Sequence, residues 1–384
     1  MLIKGLKIYK EDEVVEAGYI KIADGKIKDI GEQCQLEDHE TINFPETYKC
    51  LPGMIDVHIH GANGSDTMDA TPDALKNIAQ TLPKEGTTSF LATTITQEHS
   101  AIERALENAG KYIIDQPNGG QAEVVGVHLE GPFINPEKAG AQPLKHIVEG
   151  DIPLFEKWQK ISGGNIRLVT LAPERKHGLE LTKYLSEHNV TASIGHSNGS
   201  YHDVDEAIKA GATHVTHLYN GMKGLHHREP GVLGAALLRH ELYTEMIVDG
   251  LHICPEMVDF AYRQKGSDRT VLITDAMRAK CMKNGIYDLG GQDVNVKDGK
   301  ATLANGSLAG SVLEMKQAIK NMLSFTDATL ADVMKMGAVN PAKQCGVFDR
   351  KGSVETNKDA DLIILDENND LVMTICRGVV SYQR

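Results

Sequence analysis

The sequence lacks the paired cysteines that would indicate a disulfide framework or a zinc ribbon. Its six cysteines are scattered over 384 residues with no Cys-x-x-Cys spacing, so reduced thiols in a cytoplasmic protein are the expectation. No segment approaches the roughly 18 consecutive apolar residues of a membrane span, and the first residues contain no apolar run of signal-peptide length. We therefore expect a soluble, cytoplasmic protein.

An excess of positive charge is also missing. The 40 lysine and arginine residues are outnumbered by 53 aspartate and glutamate residues, which gives a formal net charge of −13. We expect no nucleic-acid partner and no membrane partner, because nucleic acids and anionic membranes are themselves negatively charged. A small anionic substrate needs only a local basic pocket and stays compatible with this charge.

Two kinds of pattern divide the chain. Both ends contain short alternating segments with hairpin dipeptides such as Asp24-Gly25, which predict β-strands. The middle alternates apolar runs with helix-like segments, as βα units do. We predict a small β-sandwich domain from residues 1–52 and 346–384, and a barrel over residues 53–345 with a β-hairpin insertion near residues 281–309.

Eight apolar runs in the middle have the length of buried strands, so the leading fold class is α/β with a (β/α)8 TIM-type barrel. An open doubly wound sheet is second, because no Gly-x-Gly-x-x-Gly follows the first strand. The predicted strands are Met54–His58, Thr87–Thr94, Val124–Glu130, Ile166–Leu171, Thr191–His196, His214–Leu218, Glu245–Asp249 and Val271–Asp275. Helices are predicted between them, for example over Asp73–Leu82, Ser100–Ile113, Gly178–His188 and Tyr201–Ala210.

Five of these strands end in residues able to bind a metal or move a proton. His58 and His60 point to one side of the first strand, because side chains alternate along a strand. Catalytic residues of such barrels lie at the carboxyl ends of strands, so we expect these two to meet the other four, which are Glu130, His196, His217 and Asp275. Each alone has a structural alternative: a hydrogen-bonded histidine, a turn cap at Glu130, or a salt bridge from Asp275 to Arg278.

Four histidines and one glutamate exceed the three protein ligands and one water of a usual catalytic zinc site. Imidazole nitrogens with a carboxylate suit zinc or ferrous iron, whereas magnesium and calcium prefer oxygen-rich sites. We therefore expect two divalent metal ions per subunit, Zn²⁺ or Fe²⁺, bridged by Glu130. Asp275 is then expected to act as the proton shuttle.

The motifs at these strand ends identify a resemblance to the amidohydrolase superfamily that covers nearly the whole chain. The His-x-His strand marks only the superfamily, whereas Glu-Gly-Pro-Phe and His-Leu-Tyr-Asn resemble the members that deacetylate N-acetylated hexosamine phosphates. The motifs are Pro52-Gly-Met-Ile-Asp-Val-His-Ile-His-Gly, His128-Leu-Glu-Gly-Pro-Phe, Ile194-Gly-His-Ser, Thr216-His-Leu-Tyr-Asn-Gly-Met, Arg228-Glu-Pro-Gly, Asp249-Gly-Leu-His, Thr274-Asp-Ala and Leu308-Ala-Gly-Ser.

The resemblance implies that a metal-activated hydroxide attacks the amide carbonyl of a sugar phosphate, with Asp275 as general base and then general acid. It implies that Glu130, His196 and His217 hold the principal metal. It also implies a homodimer in which Arg228 and His252 grip the phosphate near the partner's active site. The implied substrate contacts are Ala141, Gln142, Asn220, Gly221, Arg228, His252, Leu308, Ala309 and Gly310.

Two features distinguish members within this superfamily. Some replace the first-strand histidines with amides and use one metal, so retention of His58 and His60 favours two. Some carry a carbonyl-polarising histidine at the position of Gln142, and the resemblance does not extend that role to glutamine.

Two other functions are weaker alternatives. A cyclic-amide hydrolase or deaminase of the same superfamily is the first, but cyclic-amide hydrolases usually bridge their metals with a modified lysine on strand four. Ile166–Leu171 contains no lysine. The second is a non-catalytic sugar-phosphate sensor, which would be expected to lose the metal ligands or the acid/base that this chain retains.

Overall fold

The protein, seen here in a computed structural model that describes residues 1–32 and 40–384, consists of a parallel barrel and a β-sandwich built from both chain ends. Of the six cysteines, Cys34 lies outside the described residues. The described cysteines form no disulfide; they are Cys50, Cys254, Cys281, Cys345 and Cys376. No helix in the described ranges combines the length and apolar character needed to cross a bilayer.

The strands of the described residues are numbered in chain order. They are β1 (Leu2–Tyr9), β2 (Val14–Ala23), β3 (Lys26–Glu32), β4 (Thr41–Asn43), β5 (Lys49–Pro52), β6 (Met54–Ile59), β7 (Gly61–Ala62), β8 (Ser65–Asp66), β9 (Thr87–Thr94), β10 (Glu123–Glu130), β11 (Ile166–Leu171), β12 (Thr191–Ile194), β13 (His214–Val215), β14 (Tyr243–Ile247), β15 (Thr270–Ile273), β16 (Gly285–Leu289), β17 (Gln292–Lys297), β18 (Lys300–Thr302), β19 (Leu362–Leu365), β20 (Leu371–Cys376) and β21 (Val379–Gln383).

The α-helices are numbered in the same way. They are α1 (Pro72–Thr81), α2 (His99–Asp115), α3 (Ile152–Ile161), α4 (Gly178–Glu187), α5 (Tyr201–Lys209), α6 (Gly231–Leu238), α7 (Pro255–Lys265), α8 (Met315–Phe325), α9 (Leu330–Met334) and α10 (Asn340–Gln344). A π-helical turn, Lys335–Val339, joins α9 to α10. Short 3-10 turns cover Thr67–Asp69, Leu82–Glu85, Pro136–Lys138 and Leu144–His146.

The barrel sheet confirms the predicted architecture. Its eight strands run parallel in the order β6, β9, β10, β11, β12, β13, β14, β15. The two end strands approach each other, because the Asp275 amide donates to the His58 carbonyl (2.8 Å) and the His60 amide to the Ala276 carbonyl (2.9 Å). Strand β6 is buried along its whole length, as expected for a strand with side chains packed on both faces.

Four predicted strands end earlier than the sequence pattern indicates: β14 ends at Ile247 instead of Asp249, and the other three are followed by candidate functional residues. The predictions ended at His196, Leu218 and Asp275, whereas β12, β13 and β15 end at Ile194, Val215 and Ile273. The buried pattern continues past these strands because the first residues of the following loops stay buried. The candidate functional side chains of these three strands therefore stand on the loops just beyond the strands.

The β-sandwich is built from the two chain ends, as predicted. Its sheet has the order β21, β20, β19, β5, β1, β2, β3, with β4 paired to β1, so the C-terminal strands join the N-terminal ones through β5 and β19. Buried isoleucines from both ends, among them Ile3, Ile20 and Ile364, share one apolar core. The predicted insertion contains the hairpin β16–β17, to which β18 adds a third antiparallel strand.

Candidate metal centre and active site

Three candidate functional residues stand in an unusual backbone conformation. His196, His217 and Asp275 have φ values of 46°, 30° and 48°, in a region that residues other than glycine seldom adopt. Each follows a barrel strand, at the carboxyl end of β12, β13 or β15. Such conformations cluster at functional sites because the surrounding structure must hold them there. The backbone thus turns each side chain toward the mouth of the barrel.

The first donor group consists of Glu130, His196 and His217. Both imidazoles donate through Nδ1 to backbone carbonyls, His196 to Lys138 (2.7 Å) and His217 to Asn220 (3.0 Å). A neutral imidazole then keeps a lone pair on Nε2, and these two Nε2 atoms face each other at 3.1 Å. Oε1 of Glu130 lies 3.1 and 3.3 Å from them.

The second donor group consists of His58, His60 and Asp275. Oδ1 of Asp275 lies 3.4 Å from Nε2 of His58 and 3.3 Å from Nε2 of His60. Glu130 joins the two groups, because its Oε1 lies 3.4 Å from Nε2 of His58 and its Oε2 lies 3.3 Å from Nε2 of His60. Asp275 forms no ion pair with Arg278, whose guanidinium contacts Asp69 at 2.8 Å instead.

The donor sets fit divalent cations. Zinc–nitrogen bonds of about 2.0–2.1 Å place the ligand atoms of a tetrahedral site roughly 3.4 Å apart, close to the separations in both groups. Among the described residues, nothing forms a hydrogen bond with the buried Nε2 of His58. Two facing imidazole lone pairs and a lone pair without a partner are costly in a buried cluster, and a shared cation removes that cost.

The carboxylates drive the second group toward protonation. Burial lowers the pKa of His60, but its hydrogen bonds to Asp275 and Glu130 outweigh it and raise that pKa to about 10. Burial also opposes the charged form of His58, yet Asp275, Glu245 and Glu130 raise its pKa well above the ordinary value. Cation binding competes with such protons, so metal affinity here should rise with pH.

The carboxamide of Gln142 is tied to a candidate metal ligand. It donates to Oε2 of Glu130 at 2.7 Å and accepts the backbone N–H of Thr96 at 2.8 Å. Gln142 is buried. Both polar ends of this side chain are thus engaged, which fixes the orientation of the Glu130 carboxylate.

A cavity of about 330 Å³ opens directly above the two donor groups. It receives residues of the predicted substrate set from several loops, together with apolar Ile95 and Leu289, which sequence reasoning missed. His252 stands at its wall and donates from Nδ1 to Asp249 at 2.7 Å, which directs Nε2 away from that carboxylate. The predicted residues that line the cavity are Ala141, Gln142, Asn220, Gly221, His252, Leu308 and Gly310.

Gly221 shows why a side chain is excluded at this wall. Its φ is +58°, and a Cβ atom there would lie 3.0 Å from Nδ1 of His196 and 3.3 Å from Cε1 of His217. The absence of a side chain therefore leaves both candidate ligands undisturbed.

Two predicted substrate contacts do not line this cavity. Arg228 is exposed on a loop, where Nη1 lies 2.8 Å from Nε2 of His227. Ala309 is buried behind the cavity, in the apolar cluster that includes Met277 and Leu289.

The structure adds two buried residues that sequence reasoning missed. Glu245 contacts His58, and the His128 ring packs at 4.5 Å from the His58 ring with an interplanar angle of 77°. The signal for Glu245 was an acid within an apolar strand, and His128 lies two residues before Glu130 on the same face of β10. Both residues lie within strands, and the prediction considered only residues at strand ends.

Residues 50–380 match the amidohydrolase family. The chain is 47% identical over 384 residues to an N-acetylglucosamine-6-phosphate deacetylase of Bacillus subtilis, covering all of this chain and 97% of that one. It is 43% identical to a deacetylase of the same description from Lysinibacillus sphaericus, covering 100% and 98%.

A solved N-acetylglucosamine-6-phosphate deacetylase from Thermotoga maritima is similar in fold, with a TM-score of 0.90, 34% identity and full coverage of both chains. A mutant deacetylase from Mycobacterium smegmatis, solved in complex with N-acetyl-D-glucosamine-6-phosphate, gives a TM-score of 0.93 at 27% identity, covering 100% of this chain and 99% of that one.

Proposed function

Because the chain belongs to the amidohydrolase family, we propose that it hydrolyses the acetamide of N-acetyl-D-glucosamine 6-phosphate to D-glucosamine 6-phosphate and acetate. The observation that carries this proposal is the pair of converging donor groups at the floor of a cavity, with Asp275 beside them. The deacetylases at 47% and 43% identity supply the substrate class. Amino-sugar catabolism and cell-wall sugar recycling are the metabolic setting of this reaction.

An acetamide is unreactive, and two divalent cations, Zn²⁺ or Fe²⁺, would supply the missing chemistry by polarising its carbonyl and acidifying water. Glu130, His196 and His217 would hold one of them. His58 and His60 would hold the other, and Glu130 lies within 3.4 Å of the Nε2 atoms of both.

Asp275 does the proton work in this proposal. Its carboxylate lies at the cavity floor, and although burial raises its pKa, His58 and His60 lower it below the ordinary value. Asp275 thus starts ionised, takes a proton from the attacking water and gives it to the amine nitrogen as the C–N bond breaks. Without that proton the amine is a poor leaving group.

The remaining cavity residues orient the sugar. Asn220, Gly221, Leu308 and Gly310 lie around the space above the donor groups, and His252 stands at the wall. Arg228 is exposed and does not line this cavity, so we assign it to the phosphate of the neighbouring subunit in a homodimer. A guanidinium suits that role because it grips phosphate with a fork of donors.

The proposed compartment and domain limits rest on separate grounds. A phosphorylated substrate and five unpaired thiols among the described cysteines support the cytoplasm. We propose domain limits at residues 1–52 with 346–384 for the sandwich and 53–345 for the barrel, since β5 and β6 belong to different sheets.

The test is release of acetate by the purified protein from N-acetylglucosamine 6-phosphate. Two matched compounds separate the parts of the proposal: N-acetylgalactosamine 6-phosphate, the substrate named for a 35% identical Escherichia coli O157:H7 relative, and unphosphorylated N-acetylglucosamine. We expect turnover of N-acetylglucosamine 6-phosphate. For unphosphorylated N-acetylglucosamine we expect a kcat/KM roughly 100-fold lower, because the charge-assisted hydrogen bonds to the phosphate are lost.

Faster turnover of the galactosamine compound would reassign the sugar and keep the chemistry. No acetate from either hexosamine phosphate, together with turnover of another amide, would contradict the proposal. An Arg228→Lys variant tests the role assigned to the phosphate. Its kcat/KM for N-acetylglucosamine 6-phosphate should fall toward the wild-type value for unphosphorylated N-acetylglucosamine. Its turnover of the unphosphorylated sugar should equal that of wild type.

A further inference from the structure

We propose that Glu245, on β14, is the positioning residue that secures the second cation of the centre, at His58 and His60. This role rests on the proposed two-cation site, in which Glu245 contacts the candidate ligand His58 on the side of the ring away from the cation. Glu245 lies outside the cavity and is fully buried. It therefore acts through other residues, without touching the substrate.

Both oxygens of Glu245 are already engaged. Oε2 accepts Nδ1–H of His58 at 2.9 Å and the backbone N–H of His217 at 3.0 Å, while Oε1 lies 3.2 Å from Nε2 of His214. One carboxylate thus contacts His58 of the second donor group and the backbone of His217 of the first. These fixed partners prevent it from turning to bind a cation itself.

The bond to Glu245 selects the tautomer of His58. A carboxylate only accepts, so Nδ1 carries a proton, and in the neutral ring that binds a cation the lone pair is on Nε2, on the side of Glu130 and Asp275. The opposite tautomer would donate from Nε2 to these carboxylates and would be unable to bind a metal. Carboxylates behind metal-binding histidines fix ring orientation and increase ligand basicity in this way.

His128 restricts the His58 ring from the side. Its ring packs against His58, and its own nitrogens are engaged by the Val57 carbonyl at 3.1 Å and the Thr170 hydroxyl at 2.7 Å. His58 can therefore not rotate to satisfy Nε2 elsewhere.

The charge of Glu245 also favours a cation at this point. Glu130, Glu245 and Asp275 are buried, and within the described ranges each pairs only with histidines and with no lysine or arginine. As a ligand His58 is neutral. A cation bound to its Nε2 then offsets the negative charge that Glu245 places on the other side of the ring.

Glu245→Gln tests this role without removing the hydrogen bonds. The amide oxygen at the place of Oε2 still accepts from His58 and His217, and the amide nitrogen can donate to Nε2 of His214 when that ring carries its proton on Nδ1, toward Gln344. The variant should therefore fold, and only the charge is lost. Metal-free wild type and variant are titrated with Zn²⁺ against a chromophoric chelator, and bound zinc is counted by mass spectrometry after desalting.

We expect two zinc ions per wild-type chain. In Glu245→Gln the first should bind as in wild type and the second roughly 10- to 100-fold more weakly, the usual range for such supporting residues. His214→Gln is the matched control. It changes the partner of Oε1 of Glu245 but leaves the negative charge of Glu245 in place, so this variant should retain both zinc ions. In a His60→Asn background, Glu245→Gln should weaken zinc binding no further.

If Glu245→Gln binds both zinc ions with wild-type affinity, with or without a lower melting temperature, the inference is overturned and the deacetylase proposal stays intact. If that variant does not fold, Glu245→Asp takes its place, since a shorter side chain withdraws the carboxylate from His58; wild-type affinity for both ions in Glu245→Asp would equally overturn it. Fewer than two ions in wild type itself would contradict the two-cation site on which the inference rests.

Discussion

At the scale of single residues, the proposed chemistry depends on Asp275 for proton transfer. We expect Asp275→Asn to lower kcat by roughly 10²- to 10⁴-fold, the range for a general acid–base group, with KM changed much less. The cation at Glu130, His196 and His217 should bind normally, because Asp275 contacts only His58 and His60 among the candidate ligands. Stopped-flow turnover with parallel zinc counting checks both statements. Residual activity near the wild-type level would show that another group moves the proton.

In the proposed two-cation centre, His58 and His60 determine whether a second cation binds. Replacing both with asparagine should reduce the bound metal by about half, because Glu130, His196 and His217 form a complete three-ligand set without them. Metal analysis of the double variant and of wild type, purified in parallel, gives the comparison. Loss of all metal would show that the two donor groups bind as one unit.

Residue types at strand ends were predictable, and their supporting contacts were not. A His-x-His strand, a Glu-Gly-Pro turn and isolated histidines after apolar runs follow from the local pattern of the chain. Glu245 reaches His58 across 187 residues of sequence, and Gln142 reaches Glu130 through a loop. Such contacts depend on how the barrel closes, which no local pattern encodes.

At the scale of elements, the three-stranded insertion forms one wall of the cavity. Leu289 on β16 lines the cavity, and Gln292 on β17 donates to the carbonyl of Ala141 at 2.6 Å. This hydrogen bond holds the insertion against the loop that carries Gln142. Removal of the Gln292 carboxamide should therefore weaken the contact between the insertion and the loop that carries Gln142.

We expect Gln292→Ala to raise KM for the sugar phosphate by roughly 5-fold, which corresponds to one hydrogen bond of about 1 kcal/mol, with little change in kcat. Steady-state kinetics measure this split. Asp293→Ala, on the same strand but exposed, is the control and should behave as wild type. A fall in kcat without a change in KM would place the effect in the metal centre and contradict this reading.

Element types were predictable where periodicity was strong, as in β9, β10 and β11, which match the predicted strands to within one residue. The ends of β12, β13 and β15 were not, because their chains turn into left-handed conformations while remaining buried. An apolar pattern indicates that residues are buried. It indicates a strand only where the backbone is also extended.

At the scale of the whole molecule, an ionic cluster joins the barrel to the chain that leads into the sandwich. Glu123, at the start of β10, contacts Arg350 at 2.7 Å and Lys351 at 2.7 Å, and both cations also reach Asp359. Burial raises the pKa of Glu123, but Arg350 and Lys351 outweigh it and lower that pKa to about 2. The partners Glu123 and Arg350 lie 227 residues apart in sequence, so no local pattern of the chain could indicate the cluster.

This cluster should make stability depend on acid. Because the pKa of Glu123 is lower in the folded state, its contribution is complete above about pH 4.5 and disappears as the pH falls toward 2. A shift of that size corresponds to about 3 kcal/mol. Urea unfolding from pH 6 to 3 should show wild type losing more stability than Glu123→Gln. A constant difference between the two across this range would contradict the assignment.

The proposed hydrolysis of the acetamide of N-acetylglucosamine 6-phosphate requires both bound cations and Asp275. The direct measurement is acetate release by metal-free protein during titration with Zn²⁺ or Fe²⁺, with wild type and Asp275→Asn side by side. We expect no release before metal is added, recovery of wild-type activity as the cation sites fill, and Asp275→Asn activity that stays at least roughly 100-fold below wild type throughout. Undiminished acetate release from wild type after complete removal of metal would contradict the account.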